Sequence, residues 1–268
     1  MTAALVPRLP AHALETIERF LGSEVGGGPG VVVGLSGGID SALCARLARD
    51  ALGPEKVLGV LLPDDGPSQT LVAETVGYAH DLGIASTVIP IGPVVRSFRQ
   101  IFPVVHDPVT AGNIAARTRM TILYTLARER SRRVMGTGNK SELLLGYFTK
   151  YGDGGIDLLP IGDLYKTEVW ALAERLGLPE AVRTRVPTAG LWEGQTDEGE
   201  IGLPYREVDR ILRGIEELRS PAEIAELTGQ PLERVEGIVR RVGANRHKRR
   251  LPPIPKIGLR TIGIDWRD

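Results

Sequence analysis

The chain has 268 residues, of which 42% are apolar and 25% are charged, so it can form one large α/β domain with a core of ordinary size. Lysine plus arginine equals aspartate plus glutamate at 33 each, which argues against nucleic acid or a membrane surface as the partner. The single cysteine, Cys44, excludes a disulfide framework and a cysteine-clustered zinc site. No apolar stretch has the length of a signal peptide or a membrane helix, so we expect a cytoplasmic protein.

The first half of the chain alternates helical and strand patterns. Leu14, Ile17 and Leu21 recur at helical spacing, and the β-branched run 31–33 follows a glycine-rich break. Further strands are predicted near 57–62 and 84–89, and further helices near 43–52 and 68–82. This order predicts a doubly wound, mainly parallel sheet flanked by helices.

The second half is predicted to begin with a long helix at 113–129 and a strand at 133–135. Two polar, glycine-containing stretches, 150–155 and 187–202, are typical of site loops. Further helices are predicted from about Ser141 and at 165–176, 205–215, 222–227 and 232–242. We therefore expect a single domain over 1–268, with an α/β core at 1–202 and a helical C-terminal segment at 203–268.

The segment GLSGGIDS at 34–41 lies between the first predicted strand and a helix. Free N–H groups and the positive end of the helix dipole make such a turn favourable for an anion. Its glycines let the backbone fold into a concave row of donors, and its serines add hydroxyl groups. Asp40 would repel a phosphate unless a cation lay between them, so its presence argues for Mg²⁺.

Three other interpretations of this loop stay open. It can be a plain glycine turn capped by Ser41. A Walker loop would need a lysine near its end, and this segment has none. Residues 34–38 also match the G-x-S-x-G elbow of serine hydrolases, with Ser36 as nucleophile. Only one strand precedes Ser36, however, and the late histidine, His247, lies in a basic run.

The run SGGIDS at 36–41 resembles the SGGxDS pyrophosphate-binding loop of the N-type ATP pyrophosphatases. Later stretches are similar to segments of one family in that group, ammonia-dependent NAD synthetase. They are NIAARTRM at 113–120, GTGNKSE at 136–142, GYFTKYGD at 146–153 and LPIGDLYKTEV at 159–169. PTAGL at 187–191 matches a further block, except that Gly190 stands where the family has an aspartate.

The resemblance implies an adenine nucleotide alpha-hydrolase-like fold and a two-step ligase reaction. The nicotinate carboxylate of deamido-NAD attacks the α phosphate of ATP, and ammonia then displaces AMP to give NAD⁺. Both groups in the first step are anions, so cations must neutralise them. The resemblance further implies Mg²⁺ as cofactor, and ATP, deamido-NAD and ammonia as substrates. It also implies a homodimer with the helix at 113–120 at its interface and the dinucleotide site between subunits.

The resemblance also assigns roles to residues. The metal ligands are Asp40 and Glu142, and the catalytic residues are Asp153 and Lys166. Asp153 would help to deprotonate ammonium, which has no lone pair with which to attack. The ATP-binding residues are Gly34, Leu35, Ser36, Gly37, Gly38, Ile39, Asp40, Ser41, Thr137, Lys166 and Thr188. The deamido-NAD-binding residues are Arg117, Lys150, Asp157, His247 and Lys248.

Simpler interpretations exist for several of these residues. Glu142 also fits an ordinary first-turn helix acid, Lys166 a solvated surface lysine, and the basic run at 246–250 a solvated face. RNA stays open as an alternative partner because of the basic residues Arg240, Arg241, Arg246, Lys248, Arg249 and Arg250, although tRNA-thiolating relatives carry paired cysteines that this chain lacks. A nucleotide sensor without turnover is a third class, which the combination of Asp40, Glu142 and Lys166 disfavours.

Two further expectations concern the nitrogen donor and the loops. The length leaves no room for a glutaminase domain, so free ammonia is the expected donor unless a separate subunit supplies it. Cys44 is expected to pack in the core. The loops 64–69 and 187–202 are expected to be mobile when empty and to close over ATP, excluding water from the adenylate.

Overall fold

The computed structural model describes residues 5–65, 69–102, 107–188, 190, 194–262 and 265. The strands in these residues are β1 (Val31–Gly34), β2 (Val57–Leu61), β3 (Ala85–Val88) and β4 (Arg133–Met135). The helices are α1 (Ala13–Val25), α2 (Ile39–Leu52), α3 (Gln69–Asp81), α4 (Gly92–Ile101), α5 (Pro108–Glu129), α6 (Lys140–Leu145), α7 (Lys166–Arg175), α8 (Glu180–Arg183), α9 (Asp197–Ile201), α10 (Tyr205–Glu216), α11 (Pro221–Thr228) and α12 (Leu232–Ala244). Short 3₁₀ helices lie at Pro54–Lys56 and Asn245–Lys248.

The four strands form one parallel sheet in the order β3-β2-β1-β4. Val31 of β1 pairs with Val57 on one side and with Arg133 on the other. An isolated parallel bridge joins Met135 to Leu158 beyond β4. The predicted parallel sheet is confirmed, and each predicted strand ends within one residue of its observed limits.

Helices cover both faces of the sheet. Because side chains alternate along a strand, Val31 and Val33 face one side and Val32 faces the other. Val31 and Val33 belong to a buried cluster that includes Leu47 of α2. Val32 belongs to a separate cluster that includes Ala127 of α5. The predicted doubly wound arrangement is therefore confirmed.

The helical C-terminal segment packs against the α/β part through its own apolar cluster. Ile211 of α10 and Ile224 of α11 are fully buried there, together with Leu145 of α6 and Tyr165 before α7. The segment thus shares a core with helices that follow the sheet. The single-domain description and its division at residue 202 stay predictions. None of the described helices combines the length and apolar character that a membrane crossing requires.

Some helix limits differ from the sequence prediction. Helix α5 begins at Pro108, five residues before the predicted start, because Asp107 accepts the N–H groups of Val109 and Thr110 and caps it. Aspartate followed by proline is an N-cap signal that indicates this start. The sequence analysis also did not predict α4, α8 or α9. Helix α9 lies within the stretch predicted as a loop, where Thr196 caps it by accepting the N–H of Gly199.

Candidate active site

The candidate site lies where the strand order of the sheet reverses direction, between β1 and β4. From β1 the chain continues to β2 and β3 on one side, and β4 lies on the other side of β1. In open α/β sheets, ligands bind in the crevice outside the carboxyl ends of the strands at such a point. The segments after β1 and β4, residues 35–38 and 136–139, therefore meet at the same crevice.

The loop after β1 is held in one conformation by its serines. Ser36 N–H donates to Ser41 Oγ at 3.2 Å, and Gly38 N–H donates to Ser36 Oγ at 3.2 Å. Ser41 Oγ donates to the Gly38 carbonyl at 3.0 Å. Gly37 has φ +81°, a conformation that glycine adopts without strain. Since α2 starts directly after this turn and its first N–H groups lack intrahelical acceptors, the loop has the backbone that an anion site requires.

Asn139 joins the two loops of the crevice. Its side-chain amide donates to Asp40 Oδ1 at 3.0 Å, and its side-chain oxygen accepts the N–H of Glu142 at 3.0 Å. Glu142 Oε2 in turn accepts the N–H of Asn139 at 3.1 Å, which completes a capping box at the start of α6. Asn139 lies within the GTGNKSE segment but is not among the predicted site residues. Its spacing from Glu142, three residues, is the signal that predicts the cap.

Lys166 brings a buried positive charge to two carboxylates. Its side chain is 2% exposed, and its Nζ donates to Asp40 Oδ2 and lies 4.0 Å from Glu142 Oε1. Burial alone would lower the pKa of Lys166, but Asp40 and Glu142 outweigh burial and raise it. Burial and then Asp40 raise the pKa of Glu142, while Lys166 opposes them. The interpretation of Lys166 as a solvated surface lysine is therefore wrong.

The donor set of Asp40 and Glu142 is suited to Mg²⁺. This ion prefers hard oxygen ligands, and proteins usually hold it with one or two carboxylates together with substrate phosphates and water. Within the described residues, no group of three or more His, Cys, Asp or Glu side chains could hold a metal ion. Two fixed carboxylates beside an anion loop therefore fit a Mg²⁺ ion that is also coordinated by a phosphate ligand.

A cavity of about 390 Å³ adjoins the charged cluster. Its wall includes Glu142 from the cluster, and Lys150, Asp153 and Lys248 from two other parts of the chain. The apolar part of its wall consists of Leu143, Phe148, Tyr151, Ile156, Leu159 and Leu251. Its size and its mixture of apolar surface with a few charged groups are typical of small-molecule sites.

Asp153 and Lys248 are each fixed by backbone groups. Thr149 N–H donates to Asp153 Oδ1 at 2.8 Å. Asp153 is exposed at the cavity. Desolvation by the surrounding protein raises its pKa, and the hydrogen bond from Thr149 opposes this. Lys248 Nζ donates to the carbonyls of Gly146 and Phe148 at 2.6 and 2.9 Å. A carboxylate with a raised pKa at a cavity wall is a better proton acceptor than an ordinary aspartate.

The remaining dinucleotide candidates lie outside the lining of this cavity. Arg117 is exposed on α5 and donates to the carbonyl of Lys150 at 3.3 Å, so these two residues are neighbours. His247 is exposed on the 3₁₀ helix beside Lys248. Asp157 uses both oxygens within the chain, accepting from a tyrosine hydroxyl at 2.9 Å and from a β4 amide at 2.7 Å. The structure thus groups four of the five candidates in pairs and places Asp157 in hydrogen bonds that support β4.

The two threonines predicted to contact ATP lie in different settings. Thr137 is half-buried in the loop after β4, at the crevice. Thr188 is exposed, and its described hydrogen bond is local, accepted from the N–H of Gly190 at 3.0 Å. Gly190 has φ +62°, a region that glycine and occasionally aspartate or asparagine adopt. Glycine in place of the family's aspartate is therefore compatible with this backbone.

Arg185 contacts the anion loop and was not predicted. Its guanidinium donates to the carbonyl of Gly37 and, at 2.8 Å, to Glu74 Oε2. Arg185 and Gly37 lie 148 positions apart in the sequence, and no motif connects them. Folding alone brings this cation to the loop, so neither spacing nor composition indicates it.

The two loops predicted to close over ATP are described only in part. Residues 66–68 of the first, and 189 and 191–193 of the second, lie outside the described residues. Within the described part of the second loop, Tyr147 donates to Glu200 at 2.7 Å, and Tyr205 donates to Asp197 at 3.2 Å. Closure of these loops stays a prediction.

Cys44 and Ser36 are the two side chains considered as nucleophiles. Cys44 is fully buried with its Sγ 3.8 Å from the carbonyl of Gly136, and burial raises its pKa. Its predicted role in core packing is confirmed. Ser36 Oγ lies 3.1 Å from Ser41 Oγ, and its described hydrogen bonds include no histidine. This geometry does not support the serine-hydrolase interpretation.

The chain is similar to known proteins over most of its length. The family model described as NAD synthase matches residues 13–252. An NH(3)-dependent NAD(+) synthetase from Methanosarcina mazei is 47% identical over 251 residues, which are 92% of this chain and 98% of that relative. The solved structure of NMN synthetase from Francisella tularensis has a TM-score of 0.80 at 33% identity, covering 94% of this chain and 100% of that one. The structure of NH3-dependent NAD synthetase from Campylobacter jejuni, in complex with nitrate, has a TM-score of 0.77 at 31% identity, covering 91% and 97%.

Proposed function

The chain belongs to the NAD synthase family, and from this premise we propose that it forms NAD⁺ from deamido-NAD and ammonia, cleaving ATP to AMP and pyrophosphate. The enzyme is a ligase that uses ATP as a co-substrate. One observation carries the proposal for this chain. The cavity that reaches Glu142 of the charged cluster also reaches Lys150, Asp153 and Lys248, so one space adjoins both the ATP residues and the dinucleotide residues.

In the first step, an oxygen of the nicotinate carboxylate attacks the α phosphorus of ATP, and the bond from that phosphorus to the departing pyrophosphate breaks. A free carboxylate is a poor electrophile, whereas the resulting adenylate carries a good leaving group. The loop 34–41 holds the pyrophosphate, and Lys166 neutralises the charge that develops on it. The burial of Lys166 supports this role, because a fixed charge acts more strongly where water is excluded.

In the second step, the nitrogen of ammonia attacks the carbonyl carbon of the adenylate, and AMP leaves with the former carboxylate oxygen. Ammonia is mostly ammonium at neutral pH, so a base that removes a proton makes the nucleophile available. We assign this role to Asp153. Its position at the cavity wall and its raised pKa support the assignment.

We assign Mg²⁺ to Asp40 and Glu142, together with the ATP phosphates. When bound, the ion supplies positive charge between the phosphates and the protein carboxylates. Both ligands are fixed before the ion binds, Asp40 by Asn139 and Glu142 by the capping box. Fixed ligands support tight and geometrically defined binding.

We also propose a homodimer in which Arg117, Lys150, Asp157, His247 and Lys248 bind deamido-NAD near the subunit interface. Exposed apolar side chains on α4, directly after α4 and at the start of α5 support this assembly, namely Val94, Phe98, Ile101, Phe102 and Val109. Light scattering should give a dimer for the native chain and for Leu218→Asp, an exposed leucine on another surface, and a monomer for Phe98→Asp. A monomeric native chain at micromolar concentration would remove the dimer from the proposal.

One of the similar structures is an NMN synthetase, so nicotinate mononucleotide is the alternative substrate to test. The test supplies purified protein with ATP, Mg²⁺ and ammonium chloride, and with either deamido-NAD or nicotinate mononucleotide. A higher kcat/KM for deamido-NAD supports the proposal, and a higher value for the mononucleotide reassigns the substrate. Replacing ammonium with glutamine should abolish product, and equal rates with glutamine would contradict free ammonia as the donor.

A further inference from the structure

The helical segment reaches the active site through a buried carboxylate, Asp209 of α10. Asp209 Oδ1 accepts from Ser141 Oγ, and its Oδ2 accepts from the N–H and the hydroxyl of Thr167 at 2.9 and 2.8 Å. Ser141 Oγ also accepts the N–H of Lys166 at 3.0 Å. Asp209 and Ser141 are both 0% exposed. One carboxylate therefore connects α10 to the starts of α6 and α7.

The residues that Asp209 holds are the sequence neighbours of site residues. Ser141 directly precedes Glu142, and Thr167 directly follows Lys166. Both lie in the first turn of a helix, where a negative charge is favourable and N–H groups need external acceptors. A shift of either helix start would move Glu142 or Lys166 relative to Asp40. The geometry at Asp209 therefore bears directly on the geometry of the charged cluster.

Asp209 differs from a surface acid because protein donors form hydrogen bonds with both of its carboxylate oxygens. A buried carboxylate is costly unless donors surround it, and three protein donors bond to this one. A second carboxylate of α10, Glu216, also contacts both elements, accepting from Lys140 at 2.5 Å and from the Tyr165 hydroxyl at 2.9 Å. Those contacts involve long side chains, and the Glu216 side chain is 37% exposed. Asp209 instead bonds a backbone amide and short hydroxyls, which leave little freedom to the helix starts.

We propose that Asp209 is a positioning residue for the adenylation step, fixing the first turns of α6 and α7 so that Glu142 and Lys166 face Asp40. It contacts no substrate in this role. The inference rests on the proposed assignment of these residues to ATP and Mg²⁺. It also gives the helical C-terminal segment a function, because that segment supplies the carboxylate that orders the ATP side of the site.

The direct test compares Asp209→Asn with the native enzyme and with Glu207→Gln. Glu207 lies on the same helix and contacts Arg210 and Gln230, away from α6 and α7. The amide keeps the shape of the aspartate but replaces one acceptor oxygen with a donor group, so a contact to Ser141 or Thr167 is lost. We expect kcat/KM for ATP to fall by about 10- to 100-fold in Asp209→Asn and to stay native in Glu207→Gln.

Two binding measurements separate positioning from general loss of structure. Titration with Mg²⁺ and ATP should give a weaker Kd in Asp209→Asn, whereas titration with deamido-NAD should give the native value. A folded variant with native Mg²⁺–ATP affinity and native rates would overturn the inference, and so would equal weakening of both ligands. If the native chain bound Mg²⁺ and ATP but formed no NAD⁺, the proposed function would fail while the binding comparison still tested Asp209.

If Asp209→Asn does not fold, two milder variants test the positioning role of Asp209. Ser141→Ala removes the hydroxyl that links Asp209 to Lys166 N–H, and Thr167→Val removes one donor while keeping the backbone amide. We expect a several-fold rise in KM for ATP in Ser141→Ala and a smaller rise in Thr167→Val, since its N–H contact remains. Native KM values for ATP in both variants would overturn the inference.

Discussion

The side of the site that we assign to ATP and the side that we assign to deamido-NAD, called the ATP side and the dinucleotide side, are built differently. On the ATP side, Asp40, Glu142 and Lys166 lie in one buried cluster, with side-chain exposures of 17%, 18% and 2%. On the dinucleotide side, Arg117 and His247 are exposed, and Arg117 donates to the backbone carbonyl of Lys150. The first set is complete within one chain, and the second set still has open surface on which a ligand or a second subunit can lie.

The ATP side is therefore preorganised for chemistry, whereas the dinucleotide side is suited to ligand recognition. A buried cluster of opposite charges holds its geometry before substrate arrives, so its residues act on chemistry and on stability together. Exposed cations gain most of their interaction energy only when an anionic ligand binds. Substitutions in the buried charged cluster should therefore change kcat and folding, whereas substitutions of the exposed cations should mainly change KM for deamido-NAD.

The largest effect is expected for Lys166→Met. Two carboxylates would lose their positive partner, and the pyrophosphate would leave without it. We expect turnover to fall by about 10²- to 10³-fold, as for loss of one preorganised charge-stabilising group. Unfolding in urea should show a loss of up to about 3 kcal/mol, the lower end for breaking a buried pair. Lys256→Met, on the exposed tail, serves as the control, and similar turnover in the two variants would contradict the assignment.

The next effect is expected for Asp153→Asn. A raised pKa means that the carboxylate form is lost at a higher pH than for an ordinary aspartate, so the native rate should fall as pH drops through that value. The variant should be slower by on the order of 10² and should lack this pH step, mainly at low ammonium. The exposed Asp163→Asn provides the comparison. A pH profile that is unchanged in Asp153→Asn would remove this residue from the role of base.

A smaller effect is expected for Gly37→Ala in the anion loop. Gly37 has φ +81°, and an added Cβ would come within 2.6 Å of Leu71 Cδ1 and 2.8 Å of Thr75 Oγ1. Left-handed backbone costs about 1–2 kcal/mol for other residues, which corresponds to roughly tenfold in KM for ATP if the loop opens to relieve it. Gly83→Ala matches the backbone strain, with φ +69°, but its added Cβ would meet only Pro54 Cβ, at an ordinary contact distance of 4.0 Å. Equal KM values for ATP in both variants would argue against a strained anion loop.

The smallest effect is expected for Lys248→Met on the dinucleotide side. Carbonyl oxygens hold its ammonium group at the cavity, and desolvation lowers its pKa. We expect KM for deamido-NAD to rise several-fold, as for one partly exposed charge contact, with KM for ATP and the urea midpoint unchanged. Arg240→Met, exposed on α12, is the control. A loss of stability or of ATP affinity in Lys248→Met would contradict the assignment of Lys248 to the dinucleotide side.

The sequence predicted the fold because local signals agree with it. The β-branched run at 31–33 and the glycines after it determine the strand and the turn, and helical spacing marks α2, α5 and α10. The proximity of Asp40 and Glu142 could also be predicted from the sequence, because each follows a strand-to-helix turn. Parallel neighbouring strands bring such turns to one edge of the sheet.

The remaining contacts depend on tertiary structure. Asp209 bonds Thr167 from 42 positions away, and Arg185 bonds Gly37 from 148 positions away, with no periodicity connecting either pair. The burial of Lys166 also depends on tertiary structure, and it rules out the alternative of a solvated surface lysine. A lysine is usually solvated, and only the approach of two carboxylates from different loops makes its burial favourable.

The most direct test of the central claim uses deamido-NAD labelled with ¹⁸O in both oxygens of the nicotinate carboxylate, together with unlabelled ATP, Mg²⁺ and ammonium. Adenylation of that carboxylate predicts that each NAD⁺ formed is accompanied by one AMP carrying a single ¹⁸O, and that one ¹⁸O remains in the amide. Formation of ADP in place of AMP, or AMP without label, would contradict an acyl-adenylate and with it the proposed roles of the ATP side.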